Sequence, residues 1–123
     1  MAFGGFGSAV MSVNDDLVEK IQAGFTKANE RLWRMPMWPG ILSDAKCKFS
    51  DLMNIHKHSC SASYASLFLE NFTDEHPSYA HIDIAGTERN GLFSTVEYLA
   101  PGLHSGRPTR SMIEFMLAVD KEE

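Results

Sequence analysis

The stretch of sequence that is most informative about the fold reads Tyr79-Ala80-His81-Ile82-Asp83-Ile84-Ala85-Gly86. Apolar and polar side chains alternate along it, and a period of two is typical of a β-strand whose faces meet different surroundings. His81 and Asp83 fall on one face, and Gly86 ends the pattern. The alternation therefore predicts a strand over residues 79–85 that leads into a functional site.

The residues near the N-terminus predict a strand followed by a helix. Residues 9–13 form a short, mostly apolar run, which favours a buried strand. Asn14 can cap a helix, and the acids that follow suit the positive end of the helix dipole. Apolar residues then recur at spacings of three and four: Leu17, Ile21, Phe25, Ala28 and Leu32. We predict that this helix ends near Met35, because Pro36 disfavours the helical conformation in the preceding residue.

A cluster of large apolar side chains follows this helix and comprises Trp33, Met35, Met37 and Trp38. Such a cluster is typical of a core or a subunit interface, and a ligand pocket is the alternative. Residues 42–59 have weak periodicity. This segment favours irregular structure, with a short strand or turn over residues 52–55.

Two more helices are predicted in the second half of the chain. Residues 61–72 are predicted to form the first of them. Its apolar stripe comprises Ala62, Ala65, Leu69 and Phe72, and Tyr64 and Phe68 widen this stripe. The last helix is predicted to begin at Pro108 or Thr109, because proline suits a first helical turn. Its expected buried side comprises Met112, Ile113, Phe115, Met116 and Val119.

The composition argues against several classes of partner. A net charge of -5, from 11 Lys and Arg against 16 Asp and Glu, and the lack of a basic cluster predict no nucleic-acid binding. No apolar stretch approaches the roughly 20 residues that span a bilayer, so we expect no membrane segment. The two cysteines, Cys47 and Cys60, have no paired spacing, which favours reduced thiols. We expect a cytoplasmic protein.

Three groups of polar residues invite chemical interpretations. His56-Lys57-His58-Ser59-Cys60 contains zinc-ligand types, and Cys47, His76 or His81 could be distant additional ligands. The second close ligand pair of a structural zinc site is missing, which favours structural or exposed histidines. His81 and Asp83 could act as a base and its orienting carboxylate, or form a hydrogen-bonded pair within the sheet. No Gly-x-Ser-x-Gly pattern supplies a nucleophile. Arg107 and Arg110 could hold a carboxylate or phosphate, or pair with nearby acids or a neighbouring subunit.

Motifs in a fixed order run along nearly the whole chain: Glu30-Arg31-Leu32-Trp33-Arg34-Met35-Pro36, Ser50-Asp51-Leu52-Met53-Asn54-Ile55, His81-Ile82-Asp83-Ile84-Ala85-Gly86 and Gly106-Arg107-Pro108-Thr109-Arg110. These motifs resemble the C-terminal part of the leucyl aminopeptidase family, and most of all its animal cytosolic members. The resemblance implies that residues 1–123 form the C-terminal portion of a leucyl aminopeptidase-like catalytic domain. It also implies an α/β fold in which helices flank a mixed sheet.

The same resemblance implies a peptidase that removes N-terminal residues from peptides with the help of two divalent metal ions, zinc or manganese. The family's metal ligands, several of which belong to an Asn-Thr-Asp-Ala-Glu-Gly-Arg run, are absent from this sequence. We therefore expect no catalytic residue, metal ligand or cofactor in this chain alone. Without metal-activated water, we also expect no aminopeptidase activity from the chain alone.

Only two substrate-binding positions carry over from the family. Ile55 and Ala85 match residues that line the pocket for the N-terminal side chain of a peptide substrate. Glu88 stands where animal members have a pocket methionine, and a carboxylate there would disfavour a leucine side chain.

Three interpretations follow. The chain is an aminopeptidase portion without the metal-binding half, or a non-catalytic interaction protein that joins a full-length aminopeptidase oligomer or binds peptides. The third is a zinc-binding or His/Asp hydrolase module unrelated to the family. Because the family forms hexamers, and a partial sheet exposes a strand edge and an apolar face, we expect a homo-oligomer or association with a full-length aminopeptidase.

Overall fold

The computed structural model describes residues 2–42, 51–54, 60–74, 76–87 and 104–121. The helices and strands in chain order are β1 (Ser8–Met11), α1 (Asp15–Lys27), β2 (Leu32–Arg34), α2 (Ser61–Glu70), β3 (His81–Asp83) and α3 (Thr109–Val119). Two short 3₁₀ helices, Gly4–Phe6 and Pro39–Leu42, precede β1 and follow β2. Most of the segment predicted to be irregular, residues 42–59, lies outside the described ranges.

In the described part of the chain, β1 is the central strand of a three-stranded sheet with the order β2-β1-β3. It pairs in parallel with β2, where Ala9 is the partner of Trp33, and antiparallel with β3, where Val10 is the partner of Ile82. The prediction of an α/β fold with a mixed sheet and flanking helices is confirmed. Both predicted strands are present, but β1 begins one residue earlier than predicted and β3 is confined to three residues.

Helices α1 and α3 pack on the face of the sheet that carries Val10. The buried cluster on this face comprises Val10, Val18, Ile21, Phe25 and Leu32, and Met112 and Phe115 of α3 pack against it. Gly24 allows the two helices to come close, because a Cβ atom at this position would lie 2.7 Å from the carbonyl oxygen of Ser111. The structure therefore requires the smallest residue at this point of the α1–α3 contact.

Helix α2 covers the opposite face, toward which the alternate residues of β1 point. Ala9 and Met11 of β1 form a buried cluster there with Ala62 of α2. Tyr64 is 1% exposed, and its hydroxyl donates a hydrogen bond to the Met53 carbonyl. This bond ties α2 to the described residues that precede it.

The first helix does not reach Met35 as predicted. It ends at Lys27, and Asn29 adopts the left-handed conformation with a φ of 55°. The backbone N–H of Glu30 donates to the Phe25 carbonyl at 2.9 Å, which is the long bond of a Schellman motif. The chain then enters β2, whose buried first residue happens to continue the apolar spacing of the helix.

The buried side of α2 also differs from the predicted stripe. Of the predicted residues, Ala62 and Tyr64 are buried, whereas Leu69 and Phe72 are 42% and 68% exposed. Ser63 and Ser66, which were not predicted, are also buried. Small side chains allow a helix to approach a sheet closely, so they occupy the inner face although they contribute little apolar area. The prediction considered apolar side chains only and therefore missed the two buried serines.

In α3, the prediction is confirmed for part of the buried side. Helix α3 begins at Thr109, and Met112 and Phe115 pack against the core. Ile113 and Met116 were predicted to be buried, but they are 45% and 56% exposed. The helix has apolar residues on more than one side, and only the side that faces α1 and the Val10 cluster is covered in the described part of the chain.

The apolar cluster predicted after the first helix divides into two pairs. Met35 and Met37 pack against the cluster on the α2 face, and the Ser66 hydroxyl lies 3.6 Å from the Met37 sulfur. Trp33 and Trp38 are 70% and 66% exposed. The methionines therefore belong to the core, and the tryptophans lie on the surface.

Candidate functional site

Hydrogen bonds position the residues that lead into β3. The Ser12 hydroxyl donates to the Tyr79 carbonyl at 2.7 Å, and the Asn14 side-chain amide donates to the Pro77 carbonyl at 2.9 Å. The Tyr79 hydroxyl donates to the Ser66 carbonyl in α2 at 2.9 Å. Burial raises the pKa of Tyr79, so this phenol remains a protonated donor at neutral pH.

A tight turn follows β3, and we call residues 83–87 the 83–87 turn. The Asp83 carboxylate accepts a hydrogen bond from the Ala85 N–H at 2.9 Å, as in an Asx turn. The N–H and hydroxyl of Thr87 both donate to the Ile84 carbonyl, at 3.0 and 2.7 Å. Gly86 has a φ of 93°, a conformation that favours glycine. The turn fixes the backbone around Ala85, whose side chain is exposed.

Two other segments hold the end of this turn. Thr87 is 1% exposed, and its carbonyl accepts hydrogen bonds from the Ser105 hydroxyl at 2.8 Å and from Arg107 Nε at 3.1 Å. Arg107 Nη2 also donates to the Gly5 carbonyl at 3.2 Å. One guanidinium group therefore joins the turn to the segment before α3 and to the segment before β1.

His81 and Asp83 share a face of β3, as predicted, and they pair with Met11 and Ala9 of β1. Burial lowers the pKa of His81, and the Asp83 carboxylate partly opposes this effect. The imidazole is therefore neutral at pH 7. One Asp83 oxygen supports the 83–87 turn. This geometry favours a structural role of the two residues over a base and its orienting carboxylate.

The two arginines considered as anion ligands contact groups of the protein itself. Arg110 lies 3.4 Å from Glu30, whose side chain is only 4% exposed, and the Ser111 hydroxyl donates to the same carboxylate. The void beside Arg107 has a volume of about 10 Å³, enough for at most one water molecule. Arg110 therefore pairs with an acid, and Arg107 binds backbone carbonyls.

The predicted substrate-binding residues are described only in part. Ala85 lies on the 83–87 turn, whereas Ile55 and Glu88 lie outside the described residues. Of the proposed zinc-ligand types, residues 56–59 and Cys47 also lie outside them. Cys60 is exposed and precedes α2 with a φ of 66°. The structure thus describes one of the two predicted substrate-binding residues.

Within the described ranges, no group of three or more His, Cys, Asp or Glu side chains is arranged to hold a metal ion. Several carboxylates have cationic partners instead: Asp15 lies 2.7 Å from Arg34, and Glu114 contacts Lys27. The described part of the chain does not fit a two-metal site. No helix in these ranges combines the length and apolar character needed to cross a bilayer.

The residues that anchor the 83–87 turn belong to no motif that predicts this role. Ser105 and Thr87 were not singled out, and Arg107 was expected to hold an anion or to pair with a nearby acid or a neighbouring subunit. Two glycines are the sequence signals for turns in this region. Gly86 lies in the 83–87 turn with a φ of 93°, and Gly106 lies just before α3 with a φ of 66°. The hydrogen bonds between the segments have no local sequence signal.

Comparison with known proteins places this geometry in a family. Residues 1–113 match the model of the cytosol aminopeptidase family, catalytic domain. The chain is 35% identical to the cytosol aminopeptidase of Sus scrofa, in an alignment that covers 99% of this chain and 23% of that protein. The chain therefore spans less than a quarter of the length of this relative.

Two solved structures share the fold. One is the bottromycin maturation enzyme BotP in complex with Mn, with a TM-score of 0.83 and 25% identity over 96% of this chain and 26% of that one. The other is a mutant of tomato leucine aminopeptidase, with a TM-score of 0.81 and 26% identity over 95% of this chain and 22% of that one. Because the family model matches nearly all of its residues, the chain belongs to the cytosol aminopeptidase family, as its motifs predicted.

Proposed function

We propose that residues 1–123 form the C-terminal portion of a leucyl aminopeptidase catalytic domain and frame the pocket for the N-terminal side chain of a peptide substrate. The observation that carries this proposal is the 83–87 turn, whose hydrogen bonds fix the backbone around the exposed Ala85. The methyl group of Ala85, held at a fixed position, would limit the size of the substrate side chain beside it and would make no polar contact with it. Ile55 is the proposed second wall of this pocket.

In this proposal the chain contributes substrate binding and does not hydrolyse peptides alone. The full-length family is expected to use two divalent ions, zinc or manganese, and the BotP structure contains Mn. The residues described here do not fit such a site, and the family's metal-ligand run is absent from the sequence. The proposal therefore assigns this chain no step of the hydrolysis.

An activity assay tests the expected inactivity. Purified chain is incubated with leucyl-p-nitroanilide and Mn²⁺, and release of p-nitroaniline is compared with the same buffer without protein. We expect equal rates. Cooperative unfolding of the same preparation in urea shows that the chain is folded. Metal-dependent turnover at enzyme-like rates would contradict the proposal.

A chimera tests the pocket. Residues 1–113 replace the matching region of the Sus scrofa enzyme, which supplies the rest of the domain. In this chimera, Ala85→Trp is expected to lower kcat/KM for leucyl-p-nitroanilide at least about tenfold, because the larger side chain fills the pocket. The kcat/KM for glycyl-p-nitroanilide should change less than about threefold. Ala23→Trp, at an exposed position of α1, is the matched control. Equal losses for both substrates would argue against a pocket role for Ala85.

A second candidate function is that of an interaction protein that joins a full-length aminopeptidase. The observation that favours it is an exposed apolar stripe on α3, where Ile113, Met116 and Leu117 are 45%, 56% and 48% exposed. A contiguous apolar surface of this kind is typical of a protein contact. Association with an aminopeptidase, or with further copies of this chain, would cover the stripe.

Co-purification distinguishes the two candidates. Tagged chain is mixed with the Sus scrofa enzyme, and the captured complex is compared with that of a Met116→Glu variant. Capture by the original chain and loss of capture in the variant would support the interaction function. A stable monomer that does not bind the enzyme would count against it. For either function we propose a cytoplasmic location, which the name of the cytosol aminopeptidase relatives supports.

A further inference from the structure

We propose that a groove between the 3₁₀ helix Pro39–Leu42 and the carboxyl end of α2 binds an extended peptide segment in which a bulky apolar residue lies beside lysine or arginine. We call it the α2 groove. Its volume is about 750 Å³. This volume lies within the range of about 300 to 1,000 Å³ that is typical of ligand pockets. Among the described residues, the lining of the groove shares none with the 83–87 turn.

We call the apolar part of the groove's lining its floor and the polar part its rim. The floor comprises Val13, Met37, Pro39, Leu42 and Leu67. Leu67 is only 6% exposed, and Met37 packs against the buried cluster on the α2 face. These two residues anchor the floor to the core. Val13 is 68% exposed, so an apolar side chain in the groove would remove it from water. The floor therefore favours a leucine, methionine or aromatic side chain in the bound segment.

The rim of the α2 groove is acidic and carries Glu70 and Asp74 beside Asn71. Hydrogen bonds order this end of α2: the Asn71 amide donates to the Leu67 carbonyl at 2.7 Å, and the Thr73 hydroxyl donates to the Glu70 carbonyl at 2.8 Å. The carboxyl end of a helix also carries partial negative charge.

The charge of the rim selects the partner. None of the described residues that line the groove is basic, and the whole chain has a net charge of -5. An acidic segment is therefore repelled, whereas a lysine or arginine beside the apolar anchor meets complementary charge at the rim. Among possible occupants, a basic and apolar peptide matches both the floor and the rim.

Fluorescence anisotropy tests this binding with an N-acetylated, fluorescein-labelled octapeptide that has a central leucine between two lysines. Acetylation removes the free N-terminus that an aminopeptidase substrate needs, so the result does not depend on the proposed function. A peptide with glutamates in place of the lysines is the control. We expect the basic peptide to bind at least about tenfold more tightly than the acidic one and to weaken as salt is raised, because salt screens exposed charges.

Substitutions in the groove complete the test. The double variant Glu70→Gln with Asp74→Asn is expected to raise the Kd of the basic peptide about five- to tenfold. Glu19→Gln with Asp120→Asn removes the same charge at exposed positions outside the described lining and should change the Kd less than about twofold. Val13→Ser should raise the Kd about threefold, because it removes apolar surface from the floor.

Three results would overturn the proposal. They are equal binding of the two peptides, an unchanged Kd in the Glu70→Gln and Asp74→Asn double variant, and no binding at protein concentrations up to about 1 mM. The substituted rim residues and Val13 lie at the surface, and urea unfolding of each variant checks that it is folded.

Discussion

The two faces of the sheet bury different kinds of side chain. The face covered by α1 and α3, the α1–α3 face, has a cluster that includes Val10, Ile21, Phe25 and Leu32. The face covered by α2, the α2 face, has a smaller cluster of Ala9, Met11 and Ala62, and α2 also buries two serines. His81 and Asp83 lie on the α2 face.

This difference shows that one short strand can serve two purposes. Successive residues of β1 point to opposite faces, so four residues support both a large apolar core and a more polar layer. The apolar cluster on the α1–α3 face is the larger of the two, so we expect it to contribute more to stability than the α2 face. The α2 face accommodates polar side chains. The 83–87 turn begins at Asp83, which lies on this face. The four predictions below test this division.

Loss of a large side chain from the α1–α3 face has the largest expected effect. Phe25 is fully buried, and Phe25→Ala should lower the free energy of unfolding by about 3–5 kcal/mol, because it leaves a cavity. Leu67→Ala on the α2 face should cost about 2 kcal/mol. Urea unfolding of both variants measures the two losses. If Leu67→Ala costs as much as Phe25→Ala, the α1–α3 face is not the dominant core.

The close contact between α1 and α3 gives the second prediction. Gly24→Ala should lower the free energy of unfolding by about 1–3 kcal/mol, although alanine is the better helix former, because its Cβ would lie 2.7 Å from the Ser111 carbonyl oxygen. Gly40→Ala is the matched control, since no atom lies within 4 Å of its added Cβ. It should change stability by less than about 0.5 kcal/mol. A stabilising Gly24→Ala would show that the helices can separate without cost.

A buried serine on the α2 face gives a smaller effect of opposite sign. Ser63 is fully buried, and its hydroxyl has no hydrogen-bond partner among the described residues. Ser63→Ala should therefore raise the free energy of unfolding by about 0.5–1 kcal/mol. Ser66→Ala removes the contact of its hydroxyl with the Met37 sulfur and should be neutral or slightly destabilising. Urea unfolding of both variants distinguishes them, and a larger loss in Ser63→Ala would reveal a partner for that hydroxyl.

The smallest expected effect is a pH dependence from His81 on the α2 face. Because burial lowers the pKa of His81 in the folded state, the unfolded chain binds the proton more readily. The contribution of His81 to stability is full above the unfolded pKa of about 6.5 and is lost as the pH falls from there toward the lowered folded value.

Urea unfolding between pH 7.5 and pH 5 measures this dependence. His81→Gln should lose less stability than the original chain over this interval. If His81→Gln has the same pH dependence as the original chain, burial on the α2 face does not affect the imidazole.

Local sequence patterns predicted the beginnings of helices better than their ends and faces. The Asn14 side chain accepts a hydrogen bond from the Leu17 N–H at 2.9 Å, so the predicted cap of α1 is confirmed. The predicted end of α1 near Met35 was wrong because Leu32, an apolar residue of β2, continued the helical spacing. The left-handed Asn29 was the available signal, since asparagine is the commonest alternative to glycine after a helix end.

The candidate site was predictable only through the resemblance to a family. Alternation predicted a strand over residues 79–85 and placed His81 and Asp83 on one face, but it suggested a catalytic pair that the geometry does not favour. Ala85 became a candidate through the family motif alone. The role of Ile55 in the pocket stays a prediction.

The sequence by itself determined the family, through motifs whose order can be followed along the chain. It also determined the alternation of β3 and the starts of α1 and α3, because these depend on residues close together in the chain. Only the tertiary structure decided which helix faces are buried and what holds the 83–87 turn. Arg107 reaches the Gly5 carbonyl across a separation of 102 residues. Such contacts depend on how the strands and helices pack, and local propensity carries no information about that packing.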